Sequence, residues 1–478
     1  MSTISMPTGT TTLPRPPLAR GWPILGSALA LNSNMHGFLR TQYQRLGPVF
    51  RVRALKQEFV VLGGPEAAEL LAANDGSLSS YELWAGFAQD FGVRRIILML
   101  EGEEHALWRK VMRQGFSKAK GYDQVPLLAN ITRAAFSKYA VGERIPVLKF
   151  LRRLVADQLG MLTLGQVAGD LLDDMIRFIH TEVQVNFIRT KPRSALCEFE
   201  FLQSKERVRE YASTILEARR SGKLQAGESN FADDMLAAQE TYPGIFEDDE
   251  ILLNILMPFL AGLDTVVNAL LVMLYEIHRH PEVLQRLRGE IQTSLNQSLP
   301  TAAAFRSMNV LHAAAMESMR LHPVASLIPR VAVRDFEFHG HQILKGEGLM
   351  LALSVPLMME QYFPNPERFD LDRFLEPRNE HKQHKGVYMP FGAGSHVCLG
   401  AGIAEVQMAV TVATLLQAGE MVLDPPNYRL KPFVEREMAP DSNFYLKKTA
   451  DYGLRAGWLI RGEGDTETAE ELDKAATH

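Results

Sequence analysis

The sequence predicts a mainly α fold with a smaller β-rich portion, and three observations carry that expectation. Apolar residues recur at helical spacing from 124 to 240 and again from 247 to 321. Short β-forming runs bounded by glycine and proline occur at 47–62 and within 331–353. No linker-like stretch interrupts residues 21–460, so these parts read as one domain.

Composition narrows the class. Of 478 residues, 46% are hydrophobic and 22% charged, which is ordinary for a globular protein. The formal net charge of -5 argues against a nucleic-acid partner. Two cysteines, Cys197 and Cys398, are too few for a disulfide framework and fit a reducing compartment. The first twenty residues lack the apolar core of a secretory signal. The expectation is a cytoplasmic monomer without an integral membrane anchor.

In chain order, residues 1–20 read as a disordered segment, and Trp22 to Gly26 opens the folded part. Gly47–Arg53 and Glu58–Leu62 read as strands, and Pro65–Ala73 as a helix. Residues 74–100 read as an irregular lid carrying Trp84, Phe87 and Phe91. Glu101–Gln114 reads as a helix, with acids first and bases last to match its macrodipole. Further helices are expected at Leu151–Leu164, Gly169–Arg189 and Glu198–Arg220. A long core helix should run from the acids of 247–250 to His278-Arg-His-Pro281, with Pro258 bending or loosening it. Its apolar stretch, Ile251–Leu274, is broken by Asn254, Pro258 and Asp264, so it reads as buried core rather than a membrane span. Pro281–Leu295 and Ala303–Leu321 follow, then short strands, then a proline- and charge-rich span at 360–390. Leu399–Ala418 is the last helix, and 461–478 is an acidic tail of disordered composition.

The chemistry concentrates at Phe391-Gly-Ala-Gly-Ser-His-Val-Cys-Leu-Gly400. Cys398 sits at the mouth of a helix, where free N–H groups or a metal lower a thiol pKa. Gly392, Gly394 and Gly400 permit tight turns and close approach of a flat ligand. Asp264-Thr265 places an acid beside an alcohol in a core helix, a pair able to pass protons. Gly262 leaves room beside them, and Ala261 is small. His105 and Arg109 share a helical face, as donors to an anion would. Glu317 and Arg320, three apart, can also meet.

These motifs resemble the cytochrome P-450 family of haem-thiolate enzymes. Phe391, Gly394, His396, Cys398 and Gly400 match its haem-binding signature without a gap, and Ala261-Gly-Leu-Asp-Thr265 matches its oxygen-activation segment. The resemblance implies haem b with Cys398 as proximal iron ligand, Phe391 beside the sulfur, and His105, Arg109, Arg330 and His396 at the propionates. It implies a structural network of Glu317, Arg320 and Arg368, the last from Pro366-Glu-Arg-Phe369.

The implied reaction is monooxygenation: external electrons activate O2, and one oxygen atom enters a C–H or double bond of a hydrophobic small molecule. A haem-thiolate peroxygenase or isomerase is an alternative, although such relatives tend to lose the acid–alcohol pair. A non-catalytic haem sensor is another. The haem domain fills the sequence, so a ferredoxin or flavodoxin with its reductase is the implied donor. Lys110, Arg113, Lys118, Lys120, Lys382 and Lys385 could dock it. Family position suggests a substrate pocket of Trp84, Phe87, Phe91, Phe187, Leu260, Val324, Leu327 and Phe444. Arg94, Arg95 and Arg189 are candidates for a substrate carboxylate.

Overall fold

The computed structural model describes residues 13–453 apart from 74–75, 188, 224–229, 296–299, 326 and 431–441. The expected acidic tail at 461–478 lies outside the described residues.

The central helix, Asp248–Arg279, is the axis of the molecule. Its start is closed by a capping box in which Glu247 N–H donates to the Glu250 carboxylate at 3.1 Å. Pro258 lies inside, yet the helix continues through it. Leu253, Ile255, Leu263, Val267, Leu270 and Met273 are fully buried, and the main hydrophobic core is built around them. The helix packs against Val147–Leu164 on one side and against Asn309–Leu321 and Ala401–Ala418 on others. Among the described residues two helices, Asp248–Arg279 and Ala401–Ala418, are long and apolar enough to cross a membrane, but 67% of each apolar window is buried inside the fold.

The β portion has its own core of residues such as Val60, Leu62, Leu349 and Leu351. Its five-stranded sheet runs in the order Val49–Ala54, Gln57–Gly63, Gly348–Ala352, Ile328–Ala332, Leu78–Ser79. Only the pairing of Gln57–Gly63 with Gly348–Ala352 is parallel. A three-stranded sheet joins Arg144–Pro146, Tyr445–Asp451 and Gly419–Leu423.

Several expectations need correction. Residues 13–20 are not free: Ala19 N–H donates to Arg51 O at 2.8 Å and Arg51 N–H to Pro17 O at 2.7 Å, tying this segment to the sheet edge. The span 74–100 contains a helix, Tyr81–Phe91, closed by Gly92 in the left-handed region at φ 87°. Its apolar residues face the core at helical spacing, a pattern hidden by its short length. The helix expected over Gly169–Arg189 ends at Glu182 and gives way to a π turn, Val183–Phe187. The last helix, Ala401–Ala418, ends at Gly419, which is extended and begins a strand.

Candidate active site

The cysteine loop is shaped by backbone contacts. Cys398 N–H donates to Phe391 O at 2.8 Å and Val397 N–H to Gly394 O at 3.1 Å. Gly392 and Gly394 have φ near 78° and 76°, and a Cβ on Gly394 would lie 2.2 Å from Leu71 O, so no other residue fits there. The loop leads into the buried helix Ala401–Ala418, with Gly400 at its start. A Cβ on Gly400 would sit 4.0 Å from the Cys398 sulfur.

Cys398 is solvent-exposed by its accessible surface, although protein surrounds the thiol on most sides; the residue therefore lies in a concave slot. Burial pushes its thiol pKa above the ordinary value, while N–H groups of Gly400 and Ala401 and the Arg109 charge pull it down. The expected helix effect is present but is outweighed by desolvation. The central helix also has an opening in its burial: Ala261 and Thr265 are exposed between buried Phe259, Leu263 and Val266. A void must lie against that strip, since the surrounding helix is core.

Within the strip, Thr265 Oγ1 donates to Ala261 O at 2.7 Å, leaving its lone pairs free. Asp264 is held from outside the strip: Arg152 approaches at 3.3 Å and His180 Nε2 at 2.8 Å. Neither partner was legible in the sequence, because each lies on a separate helix more than 80 residues away. A Cβ on Gly262 would point to Leu159, 3.5 Å away on the Val147–Leu164 helix.

A cationic cluster forms beside the cysteine loop. His105 and His396 rings stack with centroids 4.1 Å apart. Arg109 donates to Val397 O at 2.5 Å. Arg330 is buried, donates to Pro329 O, and has its pKa lowered by desolvation, with Glu101 opposing. Burial, then His396 and Arg109, lowers the His105 pKa to about 4, so its imidazole is neutral at pH 7. Glu101 joins the cluster, 3.2 Å from His396 Nε2 and accepting from Ser80 N–H at 3.3 Å. From its place in the sequence Glu101 is expected only to complement the helix macrodipole. A small cleft between Leu71, Leu78, Glu101, Arg330, Ser395 and His396 opens here.

The structural network differs from expectation in one member. Glu317 binds Arg320 by two hydrogen bonds, at 2.6 and 2.9 Å, both residues fully buried. The second arginine is Arg373, 3.3 Å from Glu317, and not Arg368. Arg368 offers only its backbone carbonyl, to Arg320 at 3.3 Å. Arg373 also bonds Glu380 at 2.9 Å and Asn365 O at 2.7 Å, so it ties together the span 365–380.

The expected pocket residues are only partly assembled. Trp84 and Phe187 pack at 4.2 Å between centroids, and Leu260 and Val324 are half-buried beside the main core. Phe87 and Phe91 turn inward, Phe91 against Phe178, and neither faces a void. Phe444 is fully buried between Tyr275 and Tyr428 and does not line a pocket. Leu327 packs against the sheet core. Arg94 and Arg95 are spent on Glu247, Glu250 and Glu104 and are not available to a carboxylate; Arg189 is exposed. Near the expected lid, a pocket of about 400 Å³ has a mixed lining, with Asp90, Glu182, Arg193 and Lys205 charged and Leu196 and Phe201 apolar.

Comparison with known proteins places this geometry. The family model described as Cytochrome P450 matches residues 16–438. The chain is 26% identical over 419 residues to cytochrome P450 136 of Mycobacterium tuberculosis, covering 86% of this chain and 83% of that protein. It is 24% identical to abscisic acid 8'-hydroxylase 2 of Arabidopsis thaliana, over 87% of each. It is 26% identical to cyclooctat-9-en-7-ol 5-monooxygenase of Streptomyces melanosporofaciens, over 66% of this chain and 70% of that protein. Among solved structures, retinoic acid-bound cyanobacterial CYP120A1 shares the fold with a TM-score of 0.78 at 22% identity, over 92% of this chain and 100% of that one.

Proposed function

Because the chain belongs to the cytochrome P450 family, we propose that Cys398 holds the iron of its haem b and that Asp264 and Thr265 manage its protons. The chain is an oxidoreductase of the monooxygenase type that uses haem b, O2 and electrons from a redox partner. When bound through a cysteine thiolate, haem iron activates O2 for insertion of one oxygen atom.

The observation that carries the assignment is the accessible thiol of Cys398 in a concave slot at the start of a buried helix. The residues present fit a haem. The exposed strip at Ala261 and Thr265 offers a void within the core. Arg330, His105 and His396 lie near the Glu101 carboxylate, and Arg109 adds a further cation beside the cysteine loop; this excess of donors among the described residues suits two propionates. Burial raises the Cys398 thiol pKa, and an iron held there would favour the thiolate.

Asp264 takes protons from the side of His180 and Arg152 and passes them toward the Thr265 hydroxyl, its neighbour in the accessible strip. Thr265 can receive them because its own hydrogen points to Ala261 O. The substrate is a hydrophobic small molecule, hydroxylated or epoxidised, bounded by Trp84, Phe187, Leu260 and Val324. The relatives named for oxidation of abscisic acid and cyclooctat-9-en-7-ol support a compact apolar skeleton bearing a polar group. The donor is a ferredoxin or flavodoxin that docks on exposed Lys110, Arg113, Lys118, Lys382 and Lys385, with Lys120 adding charge nearby.

The test is a carbon monoxide difference spectrum followed by turnover of a lipophile panel with a surrogate reductase. A thiolate-type Soret band, absent in Cys398→Ser, and O2-dependent oxygenated product are expected. A thiolate band with no turnover of any substrate would indicate a haem sensor. Turnover driven by peroxide without a donor protein would indicate a peroxygenase.

A further inference from the structure

The pocket of about 400 Å³ near the lid is built by four segments. They are the ends of helices Tyr81–Phe91 and Leu172–Glu182, the turn Arg193–Cys197 and the start of helix Phe199–Arg220. None of its lining residues belongs to the haem or proton machinery described above. Behind Phe201 the rings of Phe178 and Phe91 follow at centroid steps of 6.0 Å, so packed aromatic core backs that wall. The volume lies in the range of small-molecule sites.

The charged groups of the pocket largely satisfy one another. Arg193 pairs with Asp90, and Lys205 donates to the Asp90 carbonyl oxygen. The Asn186 amide donates to Asp90 at 3.1 Å and to Glu182 Oε2 at 2.8 Å. Glu182 itself is 1% exposed, and its Oε1 has no hydrogen-bond partner among the described residues. Leaving a buried carboxyl oxygen unpaired is costly, and a ligand in the pocket can supply the missing bond.

The surroundings select the charge of that ligand. Lys205 and Arg193 act against a cation, and Asp90 and Glu182 against an anion. Burial, then Asp90, pushes the Glu182 pKa up to about 7, so near neutrality Oε1 meets a ligand both with and without its proton. A hydroxyl both donates and accepts, and so matches either form. Leu196 and Phe201 offer apolar surface to the rest of the molecule. We propose that this pocket binds a neutral lipophilic alcohol, with its hydroxyl on Glu182 Oε1 and its hydrocarbon against Leu196 and Phe201. Bound there, it bridges helix Tyr81–Phe91 to helices Leu172–Glu182 and Phe199–Arg220, at a site separate from the one that receives the substrate.

The exposed Cys197 lines the pocket and reports on its occupancy. The test is the rate at which iodoacetamide alkylates Cys197 in the haem-loaded full chain, read by mass spectrometry of its peptide, with octanol, octylamine or octanoate added. Octanol is expected to slow alkylation, and to do so more than either charged analogue. Glu182→Gln, which keeps a donor and an acceptor, should retain the protection. Glu182→Leu should weaken octanol binding at least about fivefold, the loss of one buried hydrogen bond. No protection by octanol, stronger protection by octylamine or octanoate, or equal octanol affinity in wild type and Glu182→Leu would overturn the proposal. So would protection that vanishes when imidazole occupies the iron, which would place the alcohol at the haem.

Discussion

At the residue scale, Arg373 is the sharpest correction. Its guanidinium is buried with Glu317 and Glu380, and truncating one member leaves buried charge uncompensated. Arg373→Ala is expected to destabilise the fold by about 3 kcal/mol or more in denaturant unfolding. Arg368→Ala should cost about 0.5 kcal/mol or less, because only the Arg368 backbone carbonyl reaches the network. The reverse ranking would restore Arg368 to the network. The sequence showed that Glu317 and Arg320 share a helical face, since their spacing sets that directly. It could not rank Arg368 and Arg373, five positions apart in an irregular span, because the chain path there is set by tertiary hydrogen bonds. Thr265 gives a second residue-scale expectation. Thr265→Ala should leave haem loading intact and raise peroxide release per electron consumed; unchanged coupling would remove Thr265 from the proton path.

At the element scale, the central helix reads differently from its two sides. Gly262 faces Leu159 across an ordinary van der Waals gap of 3.5 Å, so an added methyl requires no movement. Gly262→Ala should therefore be neutral or stabilising by up to about 1 kcal/mol, with turnover retained. Loss of activity at unchanged stability would show that the glycine serves the site after all. The helix Leu172–Glu182 adds a pH dependence. Burial, then Asp90, raises the Glu182 pKa from 4.5 to about 7, with Lys205, Asn186 and Arg193 opposing. The folded state then holds this proton more tightly than the unfolded state. Its contribution to stability is full below pH 4.5 and declines as pH rises toward 7. The decline is at most about 3 kcal/mol, and Glu182→Gln should remove it from the unfolding profile.

At the scale of the whole molecule, the helical core positions the cysteine loop and the central helix, and the sheet brings in Arg330. The short helix Lys118–Asp123 packs on Ala401–Ala418, so its basic residues lie beside the cysteine helix. Lys118 is already paired with Glu405 at 2.6 Å, which leaves Lys110 and Arg113 as the better docking candidates. Charge reversal at both should slow reduction by an acidic donor at least tenfold at low salt, roughly the effect of steering, and less in high salt. Unchanged rates and salt dependence would remove this face from docking.

The sequence by itself determined the helical class, the long core helix and the cysteine loop. These depend on local periodicity, capping and glycine placement, which act within a few residues. It also set His105 and Arg109 four apart on one helical face, and Asp264 beside Thr265 within the long core helix. Tertiary structure alone decided that Glu101 meets His396, that His180 and Arg152 hold Asp264, and that Phe444 belongs to the core. Each of those contacts joins elements far apart in the chain, and only packing brings them within hydrogen-bond or van der Waals range.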